Sequence, residues 1–417
     1  MGSLLCKHSG GLASVSRVLI LSAHVSHLDR RIVAEANALA FSGRDVTLAS
    51  VPVLLHHSGL DPRVHIVMPA EKKAGKMHKL RRLAMRLPRP LFGVVRRAQF
   101  FLGAGPAKWH RDFFLQTVRE NGFDVIHCHD LHTVPAGLAL REKISPEAKV
   151  VYDSHELFAC TTGGRLRERY WSCVEREYIA EVDLVITANE SIACELARRY
   201  KINEPEVIYN SCEAEPEHPP LSSEAFRRHF GAPEGGFKVL FQGNLSDDRN
   251  LSNLVGAFAQ LNGAAQLYLL GDGPANDTLQ RTCRRRRTGN VFFGDQVPQD
   301  ELLRYVARAD LGVIPYRGEE SLNHLYCTPN KLFEFIEAGV PVCASDLPEL
   351  RRIVAENGIG AVHPMGTADQ IAAAIRDCRV RCERGEFTAA ARQAARETYS
   401  WKGQAKKLLA FYGQLEQ

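Results

Sequence analysis

The chain has 417 residues, with 53 Lys and Arg against 48 Asp and Glu and a formal net charge of +5. Its 45% hydrophobic and 24% charged content excludes a disordered or fibrous chain, and its length points to two domains of roughly 200 residues. No run approaches the ~18–20 uncharged apolar residues that span a bilayer, and residues 1–16 show no apolar signal region, so the chain reads as a soluble intracellular protein.

Residues 17–21 (RVLIL) predict a strand and 22–28 a loop, after which Ile32, Ala36, Leu39 and Ala40 recur at helical spacing up to Gly43. Residues 45–50 (DVTLAS) predict the next strand, the opening of a parallel sheet. A basic segment then interrupts the pattern: residues 71–111 carry 12 Lys and Arg against one acid, while the rest of the chain is net negative. Within it, Met77, Leu80, Leu83 and Leu87 share one helical face and Lys79, Arg82 and Arg86 another, followed by Phe92, Phe100, Phe101 and Trp109 around Arg96 and Arg97. Two readings fit the segment: a helical pair packed on the first domain with its polar side solvated, or a surface that docks on an anionic membrane.

The alternation resumes with strands at 124–128, 149–153, 183–187 and 206–209 and helices at 134–143, 168–181 and 190–200. Residues 211–220 (SCEAEPEHPP) are acidic and proline-rich, as a linker should be. Beyond them, strands at 238–242, 266–270, 291–293, 311–314 and 340–344 alternate with helices at 251–261, 275–286, 299–307 and 331–338. Helices near 348–356, 369–379 and 402–415 complete the chain. The pattern predicts an α/β protein of two Rossmann-like parallel-sheet domains, 1–212 and 213–397, with 398–417 as a last helix packing back on the first domain.

Three stretches of the second half could carry chemistry. Residues 243–250 (GNLSDDRN) link a strand to a helix, where Gly243 lets a ligand approach the backbone, the helix N-terminus favours a diphosphate, and Arg249 supplies positive charge. An ordinary βα turn with a solvated arginine accounts for them equally well. Gly271 opens a second tight turn (GDGP), and neither half has a complete G-x-G-x-x-G after its first strand, which counts against a dinucleotide cofactor. In residues 328–342 (TPNKLFEFIEAGVPV), Pro329 fixes the approach to a helix starting at Asn330 or Lys331, with Lys331 and Glu334 on one face of its first turn. A cation there suits phosphate and a carboxylate can accept both hydroxyls of a ribose; a capping Asn with an ion pair is physically adequate too.

Taken together and in order, residues 241–245 (FQGNL), the GDGP turn, 309–316 (ADLGVIPY) and 329–342 (PNKLFEFIEAGVPV) resemble the retaining glycosyltransferases of family four. Residues 124–130 (DVIHCHD) and 151–157 (VYDSHEL) fall where that family has comparable strand ends. The resemblance implies the GT-B fold, with two Rossmann-like domains facing across a cleft and a nucleotide-sugar donor. Arg249 and Lys331 would hold the donor diphosphate, Glu334 the ribose, and Gly294 would lie near the base. His155 would reach the transferred sugar near its reacting carbon, and Gly243, Asn244, Gly271, Tyr316, Tyr326 and Asn330 complete the expected donor site. Two positions depart from the family pattern: Tyr326 stands where a glutamate is common, and Asn244 where many members have an arginine. His24 to Arg31 also replaces a glycine-rich loop.

His127 and His129 flank Cys128 on one strand and are read as facing opposite sides, with His129 and Asp130 at the strand end as further catalytic candidates. No Asp-x-Asp motif is placed for a divalent metal, so side chains and helix dipoles are expected to neutralise the diphosphate without metal or other cofactor. The eleven cysteines, without a C-x-x-C pair, read as buried reduced thiols rather than zinc ligands. Residues 284–287 (RRRR) end an amphipathic helix and read as a solvated face rather than a nucleic-acid surface. The expected setting is cytoplasmic, peripheral at the inner membrane face, with a lipid-linked saccharide as acceptor in surface-polysaccharide or glycolipid assembly. The alternatives are a nucleotide-sugar epimerase of the same shape and a catalytically silent nucleotide-sugar binding protein.

Overall fold

The computed structural model describes residues 15–23, 28–52, 59–69, 106–161, 164–212, 219–261 and 263–417. Most of the basic segment, part of the loop at 24–31 and most of the acidic linker lie outside the described residues. The chain divides into two compact units, one of Met1–Tyr152, Glu181–Asp183 and Phe411–Gln417, the other of Asp153–Ala180 and Leu184–Ala410.

The first unit contains β1 (Arg17–Ser22), α1 (Arg30–Phe41), β2 (Asp45–Ser50), β3 (His65–Val67), α2 (Pro106–Thr117), β4 (Val125–His129), α3 (Val134–Ile144) and most of β5 (Lys149–Ser154). Strand β1 pairs in parallel with β2 and β4, and β2 with β3. All five residues of β4 are buried, as in a strand covered on both faces. The Asp29 side chain accepts the Arg31 N–H and starts α1. One turn in, Arg31 Nε donates to Glu35 Oε1 at 2.8 Å with both side chains fully buried, and His127 Nε2 lies 3.5 Å from Glu35 Oε2. His127 Nδ1 is 2.7 Å from the Tyr412 hydroxyl, and Arg44 pairs with Glu416 at 2.7 Å, so the chain's last residues are tied into this unit. His127 and His129 share a face rather than opposing each other, because residues two apart in a strand point the same way; their rings stack with centroids 4.5 Å apart.

In chain order the second unit holds α4 (Arg165–Tyr178), β6 (Leu184–Thr187), α5 (Glu190–Tyr200), β7 (Glu206–Val207), α6 (Ser223–Phe230), β8 (Lys238–Gln242), α7 (Leu251–Gln260), β9 (Gln266–Leu270), α8 (Asn276–Arg286), β10 (Val291–Gly294), α9 (Gln299–Val306), β11 (Leu311–Ile314), α10 (Leu322–Leu325) and α11 (Asn330–Glu337). There follow β12 (Val342–Ser345), α12 (Pro348–Leu350), β13 (Gly360–His363), α13 (Ala368–Glu383), α14 (Ala389–Tyr399) and α15 (Trp401–Leu415), whose last residues join the first unit. Strand order is β3-β2-β1-β4-β5-β6-β7 in one sheet and β10-β9-β8-β11-β12-β13 in the other. The second sheet is parallel throughout, and its core interleaves aliphatic strand residues with Phe241, Phe258, Phe333 and Phe335. This is the predicted α/β architecture of two Rossmann-like parallel sheets, and its strand ends all point one way, which is what gathers a site there.

Candidate functional site

A cavity of about 740 Å³ opens within the second unit, beyond the carboxyl ends of β8, β9 and β11. Its floor is made by two turns in close approach. Gly243 N donates to Leu270 O at 2.9 Å, and Leu245 N donates to Asp272 O at 2.9 Å. Gly243 (φ 110°) and Gly271 (φ 135°) adopt backbone that side chains rarely reach, and a Cβ on Gly271 would collide with the Gly243 carbonyl. The GDGP turn therefore needs its first glycine for packing, whether or not a ligand is present.

The cations of the cavity sit above this floor. Lys331, in the first turn of α11, is 6% exposed. Its Nζ donates to the Tyr316 hydroxyl at 2.8 Å and lies 3.8 Å from the centroid of the Phe241 ring. Burial pushes the Lys331 ammonium down to about 7, Arg249 nearby adds to the shift, and Glu334 opposes it. Arg249 stacks over the other aromatic partner, its guanidinium carbon 4.7 Å from the Tyr316 centroid, and is 3.6 Å from Asp248. Burial opposes ionisation of Asp248, but the Ser246 hydroxyl and Arg249 hold its carboxyl below the usual range. His324 Nε2 is 3.3 Å from Asp248 and its Nδ1 is 2.9 Å from Ser321 Oγ. Two cations on one phenol ring, with carboxylates to the side, make a pocket that suits a compact polyanion.

Glu334, one turn along α11 from Lys331, accepts from Gln242 Nε2 at 3.1 Å. Gln242 is 2% exposed and its Oε1 has no hydrogen-bond partner among the described residues, an uncommon state for a buried amide lining a cavity. Such an acceptor is open to a donor from whatever fills the cavity, water or ligand.

The opposite wall comes from the earlier part of the chain. His155 Nε2 is 3.2 Å from Asp153 Oδ2, whose side chain is fully buried, so the carboxylate sets the ring's orientation. Asn323 spans to the next residues: its Nδ2 donates to Glu156 Oε2 at 2.8 Å and its Oδ1 accepts from Leu157 N at 3.1 Å. Asn189, wholly buried, caps α5 by accepting from Ile192 N, while its Nδ2 donates to Tyr326 O at 2.7 Å and Thr328 Oγ1 at 3.1 Å. Asn210 Nδ2 donates to Asn330 Oδ1 at 2.8 Å. Three asparagines thus hold residues 323–330, the approach to Lys331.

Of the residues singled out from sequence, Gly243, Asn244, Arg249, Gly271, Tyr316, Asn330, Lys331, Glu334 and His155 line this one cavity. Gly294 does not; its carbonyl accepts from Gly271 N at 3.0 Å, its own Cβ position is filled by the His229 and Phe230 rings, and Gln296 and Val297 line the cavity beyond β10 instead. Tyr326 contributes its backbone carbonyl to Asn189 and is not among the lining residues. His129 and Asp130 belong to the first unit, at the end of β4, where Asp130 takes a left-handed φ of 63° and Thr133 Oγ1 donates to both their carbonyls. Sequence reasoning did not single out Gln242, Asp248 or Asn189, and it set the loop from Asn323 to Thr328 against the sugar without giving Asn323 or His324 a role of its own. Gln242 and Asn189 each stand at or just past a strand end, the one signal that could have marked them.

Residues 236–379 match the family model described as "Glycosyl transferases group 1", and residues 56–215 match "Glycosyltransferase Family 4". The phosphatidyl-myo-inositol mannosyltransferase of Mycolicibacterium smegmatis is 26% identical over 298 residues, 69% of this chain and 69% of its own. Among solved structures, the sucrose-phosphate synthase of Thermosynechococcus elongatus superposes with a TM-score of 0.65 at 21% identity, covering 96% of this chain and 99% of that one. Anabaena Alr3699/HepE, solved in complex with UDP-glucose, also gives 0.65, at 14% identity over 95% and 99% of the two chains. At these identities the solved structures speak for the fold.

Proposed function

The chain belongs to glycosyltransferase family four, the group 1 glycosyltransferases of GT-B fold, and on that premise we propose that it moves a sugar from a nucleoside-diphosphate sugar to a lipid-linked saccharide with retained configuration. The observation that carries this reading is the convergence of Arg249 and Lys331 on one cavity, with Glu334 one helical turn away. Arg249 and Lys331 bind the donor diphosphate, the N-terminus of α11 adds its partial charge, and Glu334 accepts the ribose hydroxyls. These groups neutralise the diphosphate without a metal ion.

Stabilising negative charge on the departing diphosphate is then the main contribution of the protein to rate. The acceptor hydroxyl attacks the anomeric carbon on the face from which the diphosphate leaves; the leaving phosphate oxygen takes the acceptor proton as the new glycosidic bond forms. His155, oriented by Asp153, contacts the transferred sugar rather than the nucleotide. A lipid-linked acceptor is supported by the name of the mycobacterial relative, whose stated substrate is phosphatidyl-myo-inositol, and by the basic composition of residues 71–111.

A thermal-shift screen of nucleoside diphosphates and their sugars tests the donor class, since a bound donor stabilises the fold by mass action. The product's anomeric linkage, read by NMR, tests retention. An inverted linkage, or turnover abolished by chelator, overturns the mechanism. His155→Ala is expected to lower kcat far more than it weakens nucleotide binding.

A further inference from the structure

Away from the donor cavity, the edge of the second sheet and the helix that covers it bring a histidine, a carboxylate and two thiols together. Parallel register sets Cys343 of β12 beside Ala361 of β13, and Ser345 beside His363, so Cys343 and His363 lie two positions apart in register and share one face of the sheet. Helix α13 packs on these strands and presents Cys378 to them. His363 Nε2 is 3.8 Å from Cys378 Sγ and 3.3 Å from Asp377 Oδ2, and the three ligand atoms lie within 4.8 Å of one another. We propose that His363, Asp377 and Cys378, with Cys343 as the fourth ligand, form a binding site for a thiophilic divalent cation of the zinc class.

The spacing fits that ion. With metal–sulfur bonds near 2.3 Å and metal–nitrogen or –oxygen bonds near 2.05 Å, tetrahedral ligands stand about 3.6 Å apart along a sulfur–nitrogen edge and about 3.3 Å along a nitrogen–oxygen edge. The two measured separations already approach those edges for His363, Asp377 and Cys378, whereas Cys343 lies outside that cluster and has to turn toward it to complete the set. The chemistry fits as well. A thiol, an imidazole and a carboxylate are the donor set that such an ion takes. Both cysteines are wholly buried, while the His363 and Asp377 side chains are 24% and 48% exposed, which leaves the ion a way in. None of the four lines the donor cavity, so the site is structural: it fastens the edge strand β13 and its neighbour β12 to α13. Two residues past His363, the Met365 carbonyl accepts from Asn250 at 2.7 Å, and Asn250 directly follows Arg249. A braced edge strand therefore also braces the loop that carries a donor-site cation.

The test is to titrate the reduced, metal-free full chain with Co²⁺ and then Zn²⁺. One equivalent of Co²⁺ giving thiolate charge-transfer and tetrahedral d–d absorption, displaced by Zn²⁺, is expected, with a Zn²⁺-dependent rise in Tm. Cys378→Ser and His363→Ala should abolish the charge-transfer band or weaken binding at least ~10-fold. Asp377→Asn, at a half-exposed position, should weaken binding while leaving the metal-free Tm unchanged, which separates ligation from folding. The absence of stoichiometric uptake, or a charge-transfer band and affinity both undiminished in Cys378→Ser, would overturn the site. So would thiol counting that finds Cys343 and Cys378 joined as a disulfide with no metal uptake after reduction.

Discussion

Arg31 and Lys331 are both cations with almost no exposure, 1% and 6%, yet they are held in opposite ways. Arg31 donates to a fully buried carboxylate on its own helix, Glu35. Lys331 donates to a phenol, lies over a phenylalanine ring and faces a second cation, and its proton affinity falls accordingly. In the first arrangement opposite charges at hydrogen-bonding distance in the interior compensate each other's loss of water, with His127 on the other carboxylate oxygen. Under the proposed function the second is completed by the ligand, the donor diphosphate adding negative charge where Glu334 alone does not offset burial and Arg249. Depth alone thus does not distinguish a structural cation from a binding one; the nature of the partner does.

Substitution separates the two most sharply in stability. Arg31→Met is expected to cost about 3–5 kcal/mol of folding free energy by leaving Glu35 buried without its closest cation, with donor affinity unchanged in the folded fraction; denaturant unfolding and calorimetry read the two quantities. Lys331→Met should do the reverse. Nucleoside-diphosphate binding should weaken by about 1.5–3 kcal/mol, with unfolding midpoint kept or raised, and an unchanged affinity would remove Lys331 from the site.

The pH dependence sharpens the contrast. Lys331 titrates near 7 in the empty fold and at its ordinary, higher value when unfolded, so between these the unfolded chain holds the extra proton. Stability of the ligand-free protein, relative to Lys331→Met, should therefore rise as pH climbs above about 7. Donor affinity should fall over the same window, by up to about 1.4 kcal/mol per pH unit, because the diphosphate selects the ammonium. Calorimetry in buffers of different ionisation enthalpy should detect proton uptake on binding above pH 7, and Lys331→Arg should abolish it. Smallest is the ribose contact. Glu334→Gln should cost about 1 kcal/mol with a ribonucleotide and nearly nothing with its 2′,3′-dideoxy analogue.

These contrasts were only partly legible in the chain. The strands 45–50, 238–242, 266–270 and 311–314 and the helix 190–200 stand where periodicity predicts them, because each is long and apolar enough to show its period. Strand β13, four residues of mixed character between a turn and Pro364, has no period to read, and its omission hid His363 from Cys378. Helices α6 and α14 were also missed, being short and rich in Arg, Glu and Ala on their solvent sides. The predicted helix at 348–356 begins as a single turn and widens into a π-helical segment over Arg351–Ala355. The cation pair was legible because Arg249 lies in the turn after a strand and Lys331 opens a helix behind Pro329, each within a motif. The asparagines were not, since Asn189 and Asn323 act on partners more than 130 residues away in sequence, as far as Tyr326 and Glu156.

The mutual seating of Gly243 and Gly271 bears on how this scaffold can change its substrate. A Cβ on Gly271 would drive the two turns apart, and Gly243 holds a positive φ that side chains rarely adopt, so the floor of the cavity is closed to gradual variation. The rim at 323–328 is tethered chiefly through side-chain amides, and its lining side chains Asn323 and His324 sit on a short helix and loop, not on a strand. Selection, natural or in the laboratory, therefore has one face of the pocket on which to work: new sugar preferences should arise by exchange at that rim, while the diphosphate end stays the same.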